Sequence, residues 1–221
     1  MERKDRIDAF GAVSLIGFAL LVGFNQVVIK IVNDGLQPVF AAGLRSAGAV
    51  ACVALWMLLR GVPFRIAPGT GWPGFLLGAF FTVEFVLLFI AVDLTTVARV
   101  SVIFYSMPVW LAIASHFLLP GDRITARKAL GLALAVGGVA LAMAGRDASA
   151  GEASLLGDVL ALCAAVCWAG IALTVRATPI SREAPEVQLL WQVVVSAIAM
   201  LAIAPLFGPL IRDLQPVHLW G

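Results

Sequence analysis

Two opposite charges stand deep inside apolar runs of this chain: Arg45, within Phe40-to-Val50, FAAGLRSAGAV, and Glu84, within Phe80-to-Leu88, FFTVEFVLL. A guanidinium suits a carboxylate through paired N–H···O bonds, and a carboxylate suits an ammonium or a proton. Asn25, Gln26 and Tyr105 lie in similar apolar surroundings and add neutral donors and acceptors. Pro108 has no N–H to give the carbonyl of Phe104, so a helix through it must bend and leave that oxygen to another partner. These groups suit reversible binding of a small hydrophilic or zwitterionic solute, with Arg45 on a carboxylate and Glu84 on an ammonium or a coupling proton. The competing reading is a buried Arg45–Glu84 ion pair that only fixes helix packing. Trp168 and Trp191 sit where aromatic side chains would form a wall of such a site, with ordinary helix packing as the competing reading.

The elements that must position them are membrane spans. Of the 221 residues, 62% are hydrophobic and 13% charged, and the mean hydropathy is +1.02. No water-soluble domain of this size buries so much apolar surface, so the fold class is an all-α integral membrane protein. Apolar runs at about 9–32, 38–59, 73–92, 97–119, 127–145, 157–176 and 186–207 predict seven spans, each near the ~20 residues that ~30 Å of hydrocarbon requires. The first is too long for a signal-peptide core and lacks a small-x-small cleavage pattern.

Lysines and arginines fall unevenly between the links. Arg3, Lys4, Arg6, Arg60, Arg65, Arg123, Arg127, Lys128, Arg176 and Arg182 share one side, against Arg99, Arg146 and Arg212, with Lys30 nearby, on the other. The basic side is expected to be cytoplasmic, and with it the amino terminus. Counted from the outer span ends at 1.5 Å per residue, Asn25, Arg45, Glu84 and Tyr105 all fall roughly 10 to 12 Å deep, in one layer. Lipid exposure at that depth would cost on the order of 3 kcal/mol per charge, so Arg45 and Glu84 are expected to face the protein interior.

The chain also repeats itself. Val22 to Lys30, VGFNQVVIK, followed by Pro38, returns as Trp168 to Arg176, WAGIALTVR, followed by Pro185. The offset is 146 residues at the first match and 147 at the prolines. The copies lie five spans apart, so they must be inverted, an arrangement that marks many secondary transporters with a site near the midplane.

Val22-Gly23-Phe24-Asn25, Lys30 ending span 1, Pro38 with Arg45, Tyr105-Ser106-Met107-Pro108-Val109, Leu118-Leu119-Pro120-Gly121-Asp122 and the Gly131-to-Ala142 stretch together resemble the EamA family of the drug/metabolite transporter superfamily. The resemblance covers nearly the whole chain. It implies ten helices built as two inverted repeats of five, of which residues 9–145 would be the first and 157–207 two helices of the second. It also implies a carrier or exporter of small organic metabolites, such as amino acids or related polar solutes, in a bacterial inner membrane. Val22 stands where the family has Trp and Asp122 where Glu is common, and three helices are lacking. The chain is therefore expected to continue in the natural protein; the alternative is a scaffold or half-subunit that needs a partner chain.

The remaining residues carry less chemistry. Cys52, Cys163 and Cys167 read as small packing residues, since a zinc site would need further ligands nearby. Lys30, Arg60, Arg99 and Arg176 sit at span ends and read as headgroup anchors, Trp56 and Trp72 as an aromatic belt, and His116 as an interfacial histidine. Gly131, Ala135 and Gly138 form a small-residue stripe that would let a neighbouring helix come close. No phosphate-binding GxxxxGK[ST], GxSxG or HExxH occurs, and helix 7 has no lysine for a retinal linkage. The expectation is no enzyme, no catalytic residue, no metal, no cofactor and no nucleic acid. The expected partners are a solute and the lipid bilayer, with a homodimer as the open option for assembly.

Overall fold

A computed structural model describes residues 9–119, 121–144 and 154–212. The amino-terminal tag, Pro120, Arg146 and the tail after Arg212 lie outside the described residues. The helices are α1 (Ala9–Gly35), α2 (Pro38–Arg60), α3 (Gly71–Leu94), α4 (Val97–Phe104), α5 (Met107–Leu118), α6 (Ala126–Ala144), α7 (Leu155–Ala177) and α8 (Pro185–Ile203). Six stretches among them are long and apolar enough to cross a bilayer: Ile16–Gly35, Pro38–Arg60, Gly71–Leu94, Val97–Leu118, Leu155–Ala177 and Pro185–Phe207. The seventh predicted span is α6, which runs to the edge of the described residues.

Local sequence sets the helix ends. Gln37 is extended and its side chain accepts from the Phe40 N–H, capping α2 ahead of Pro38 in the first turn, where the missing N–H costs nothing. Gly61 ends α2 in the left-handed region at φ 66°, which an L side chain rarely adopts. The span carrying Pro108 is split in two. α4 stops at Phe104, Tyr105 and Ser106 form a turn, and α5 restarts with Pro108 in its first turn. Ser106 Oγ donates to the Ile103 carbonyl at 2.6 Å and accepts from Trp110 Nε1 at 3.1 Å, which fixes the break. The expected bend at Pro108 is thus a defined interruption that begins three residues earlier, at Tyr105.

α3 lies at the centre, against α7 and α8, with α2 packed along α8. Gly74 and Gly78 make the α3–α8 approach possible: a Cβ on Gly74 would lie 2.5 Å from the Trp191 ring, and one on Gly78 would strike Val195. The core gathers Leu88, Phe89 and Val92 of α3, Val100 and Ile103 of α4, and Ala161, Ala164 and Ala165 of α7.

Hydrogen bonds between links define the two ends of the bundle. At the basic end, Glu183 accepts from the Ala67 N–H and from Thr70 Oγ1, both at 3.1 Å. At the opposite end, Leu36 and Ile211 form an antiparallel bridge. There Gln37 N–H donates to the Leu210 carbonyl and Arg212 N–H to the Gly35 carbonyl, each at 3.0 Å. α1 and α6 keep most of their surface open. Gly131, Ala135 and Gly138 of α6 are exposed, and no atom approaches a Cβ built on either glycine within 4 Å. The close helix neighbour expected at that stripe is therefore absent among the described residues.

Candidate solute-binding cavity

A cavity of about 600 Å³ opens between α1, α2, α3, α4, α7 and α8. Asn25 and Gln26 reach it from α1, Arg45 from α2, Glu84 from α3, Tyr105 from the end of α4 and Trp168 from α7. Six of the seven expected binding residues therefore meet at one place, together with Phe104 beside the helix break.

Trp191 is the exception. It packs on Gly74 and lines a separate pocket of about 260 Å³ with Met57, Arg65 and Ile66. Successive helical residues point about 100° apart, so the α8 side chain that faces the main cavity is its neighbour, Gln192. Nothing in the local composition marks Gln192. Its spacing does, because Gln192 stands 147 residues after Arg45, the offset of Pro185 from Pro38. Two pairs 146 residues apart also share the cavity, Val22 with Trp168 and Asn25 with Ile171.

Arg45 and Glu84 share the cavity and act on each other as opposite charges. They do not close into the direct ion pair of the competing reading, and the Arg45 guanidinium lies 4.7 Å from the centre of the Phe85 ring, in cation–π geometry. Glu84 is only 4% exposed and Gln26 only 2%. Glu84 Oε2 and Gln26 Oε1 are buried without a hydrogen-bond donor among the described residues. A buried acceptor left in that condition costs on the order of 1 to 3 kcal/mol, more for a carboxylate. The aromatic wall is rigid by contrast. Phe104 stacks on Trp168 at 4.8 Å between centroids, and Tyr105 meets Trp168 edge-on at 6.1 Å.

The charges read as headgroup anchors are mostly tied to protein instead. Lys30 Nζ donates to the Val92 carbonyl at 2.9 Å and the Asp93 carbonyl at 3.3 Å, at the C-terminal end of α3, where a cation suits the helix dipole. Arg99 pairs with the buried Asp158, its Nε 3.1 Å from Oδ1. Arg212 binds both carboxylate oxygens of Asp93 at 3.0 Å. At the basic end, Arg176 donates to Ser115 Oγ at 3.1 Å and to Asp122 at 2.9 Å, and Lys128 reaches Asp122 at 3.2 Å. These partners hold the Asp122 carboxyl below its usual range, Lys128 most strongly. Only Arg60 keeps an interfacial arrangement, 4.5 Å over the Trp56 ring. His116 Nδ1 accepts from the Ile124 N–H at 3.2 Å, a structural role. Cys52, Cys163 and Cys167 are free thiols, and no group of three metal-ligating side chains exists among the described residues.

Apolar helices around a cavity with a polar wall define a membrane protein of transporter type. The chain belongs to the EamA-like transporter family, whose profile matches residues 9–144. It is similar to a probable amino-acid metabolite efflux pump of Escherichia coli (strain K12), 30% identical over 171 residues, which cover 76% of this chain and 52% of the relative. The chain thus spans about half the length of the curated relative it matches. A solved crystal structure shares the fold with a TM-score of 0.62 at 23% identity, over 90% of this chain and 72% of the other.

Proposed function

We propose that the protein is a secondary carrier that exports small organic metabolites, amino acids or close relatives of them, across a bacterial inner membrane, with its amino terminus in the cytoplasm. One observation carries the reading: Glu84 and Gln26, each with a buried oxygen that has no donor, line the same cavity as Arg45. An α-ammonium would supply donors there, and an α-carboxylate would give Arg45 a bidentate partner in place of an aromatic face. A pair that only fixed packing is expected to close into a direct salt bridge, which Arg45 and Glu84 do not form. The printed description of the Escherichia coli relative supports the same solute class.

Residues 9–145 and 157–207 are read as the first repeat and part of an inverted second. The support is the sharing of one cavity by Val22 and Trp168, Asn25 and Ile171, and Arg45 and Gln192, each pair at nearly the same offset. A site between inverted halves is where carriers of this design bind.

The test is transport and binding of amino acids by Glu84→Gln and Arg45→Gln proteins that insert and purify like the parent. Each variant is expected to lose at least about tenfold in affinity, the value of one charge-assisted hydrogen bond. Unchanged transport in both would return the two charges to a packing role.

A further inference from the structure

The two repeats do not furnish the cavity alike. Where the first repeat offers Asn25 and Arg45, the second offers Ile171 and Gln192, and Trp168 replaces Val22. Arg45 lies seven residues into α2 from one end of the bundle, and Gln192 seven residues into α8 from the other. At 1.5 Å per residue each is roughly 10 Å deep, so across ~30 Å of hydrocarbon they stand about 10 Å apart along the membrane normal. The cavity therefore has a charged pole at Arg45 and Glu84 and a neutral pole at Gln192. Gln192 Nε2 donates to the Gln188 carbonyl at 3.3 Å, within its own helix. Among the described residues that line the cavity, Arg45 is the one cation, and Ile171, Trp168 and Phe81 add apolar surface beside Gln192 in that lining.

We propose that Gln192 sets which solutes the cavity accepts: as the repeat equivalent of Arg45 with a neutral amide in place of a guanidinium, it admits zwitterions with a single carboxylate and an apolar body and rejects those with a second anionic group. The inference rests on the carrier reading above. A monocarboxylic amino acid places its ammonium at Glu84 and Gln26, its carboxylate at Arg45, and its side chain along Trp168 and Ile171 toward Gln192. A second carboxylate would arrive at the neutral pole with no counter-charge, and a buried anion without a partner is the costliest group to desolvate.

The experiment measures binding of L-leucine and L-glutamate to the purified protein by calorimetry. The wild type is expected to prefer leucine by about tenfold or more, and Gln192→Arg to narrow that preference by about tenfold by giving glutamate a second cation. Gln192→Lys supplies the same charge on a slimmer side chain and should move the ratio the same way if the arginine does not fit. Equal binding of the two amino acids by the wild type would overturn the proposal. So would an unchanged ratio in both cationic variants while leucine still binds. A folded wild type that binds neither amino acid, and no other metabolite tried, would instead remove the carrier reading, and this proposal with it.

Discussion

The charges at the ends of the bundle and those in its middle follow opposite rules. At the ends, Lys30, Arg99, Arg176 and Arg212 all reach carbonyls or carboxylates, and Asp93, Asp122 and Asp158 are matched by cations. In the middle, where an unmatched group costs most, Arg45 rests on a ring and Glu84 keeps a bare oxygen. Interactions that only stabilise a fold close on themselves. Glu84 and Gln26 keep their donorless oxygens beside a cavity with room for a ligand, unlike Asn33, whose Oδ1 also has no donor among the described residues but whose side chain does not line that cavity.

The contrast can be broken most sharply at Asp158, which is 1% exposed beneath Arg99. Asp158→Ala should cost about 1.5 to 3 kcal/mol in unfolding free energy, since it removes a buried carboxylate that is ion-paired to Arg99 and hydrogen-bonded to Thr95, and thermal unfolding in detergent reads it directly. Glu84→Gln supplies the opposite case. Its stability should stay within about 1 kcal/mol of the parent, because Glu84 makes no direct hydrogen bond or salt bridge that the amide would lose. A large loss of stability in Glu84→Gln would erase the distinction drawn here.

The smallest effect belongs to Asp122. Its carboxyl is held below the usual range by Lys128 and Arg176, so its contribution is complete above the unfolded value near 3.9 and is lost as pH falls through the lower folded value. Melting temperatures of the wild type and Asp122→Asn should run parallel from pH 7 to about pH 5 and converge only below about pH 4. Convergence near neutral pH would show that the three side chains do not act together.

Much of the fold was legible because hydrocarbon imposes few choices: span length, basic links and the place of Pro108 follow from hydropathy and backbone chemistry. That Asn25, Arg45, Glu84 and Tyr105 line one cavity was legible for the same reason, since a helix rises by a fixed amount per residue and brings equal counts level with one another. Rotation about the axis was not. Trp191 and Gln192 differ by one position, and which of them faces the cavity depends on where α3 can approach α8, which Gly74 and Gly78 decide. Charge pairing was hidden too, because Arg99 and Asp158, or Lys30 and the end of α3, are far apart in sequence and meet only through packing.

The bridge between Leu36 and Ile211 has a consequence in time. The turn between the first two helices receives bonds from Leu210 and Arg212, among the last described residues. During synthesis at about 5 to 20 residues per second, that turn must wait on the order of 10 to 35 seconds after its own emergence for the strand that completes it. That end of the bundle is thus closed by chain segments whose meeting carries a high contact order, and its closure is expected to be slow.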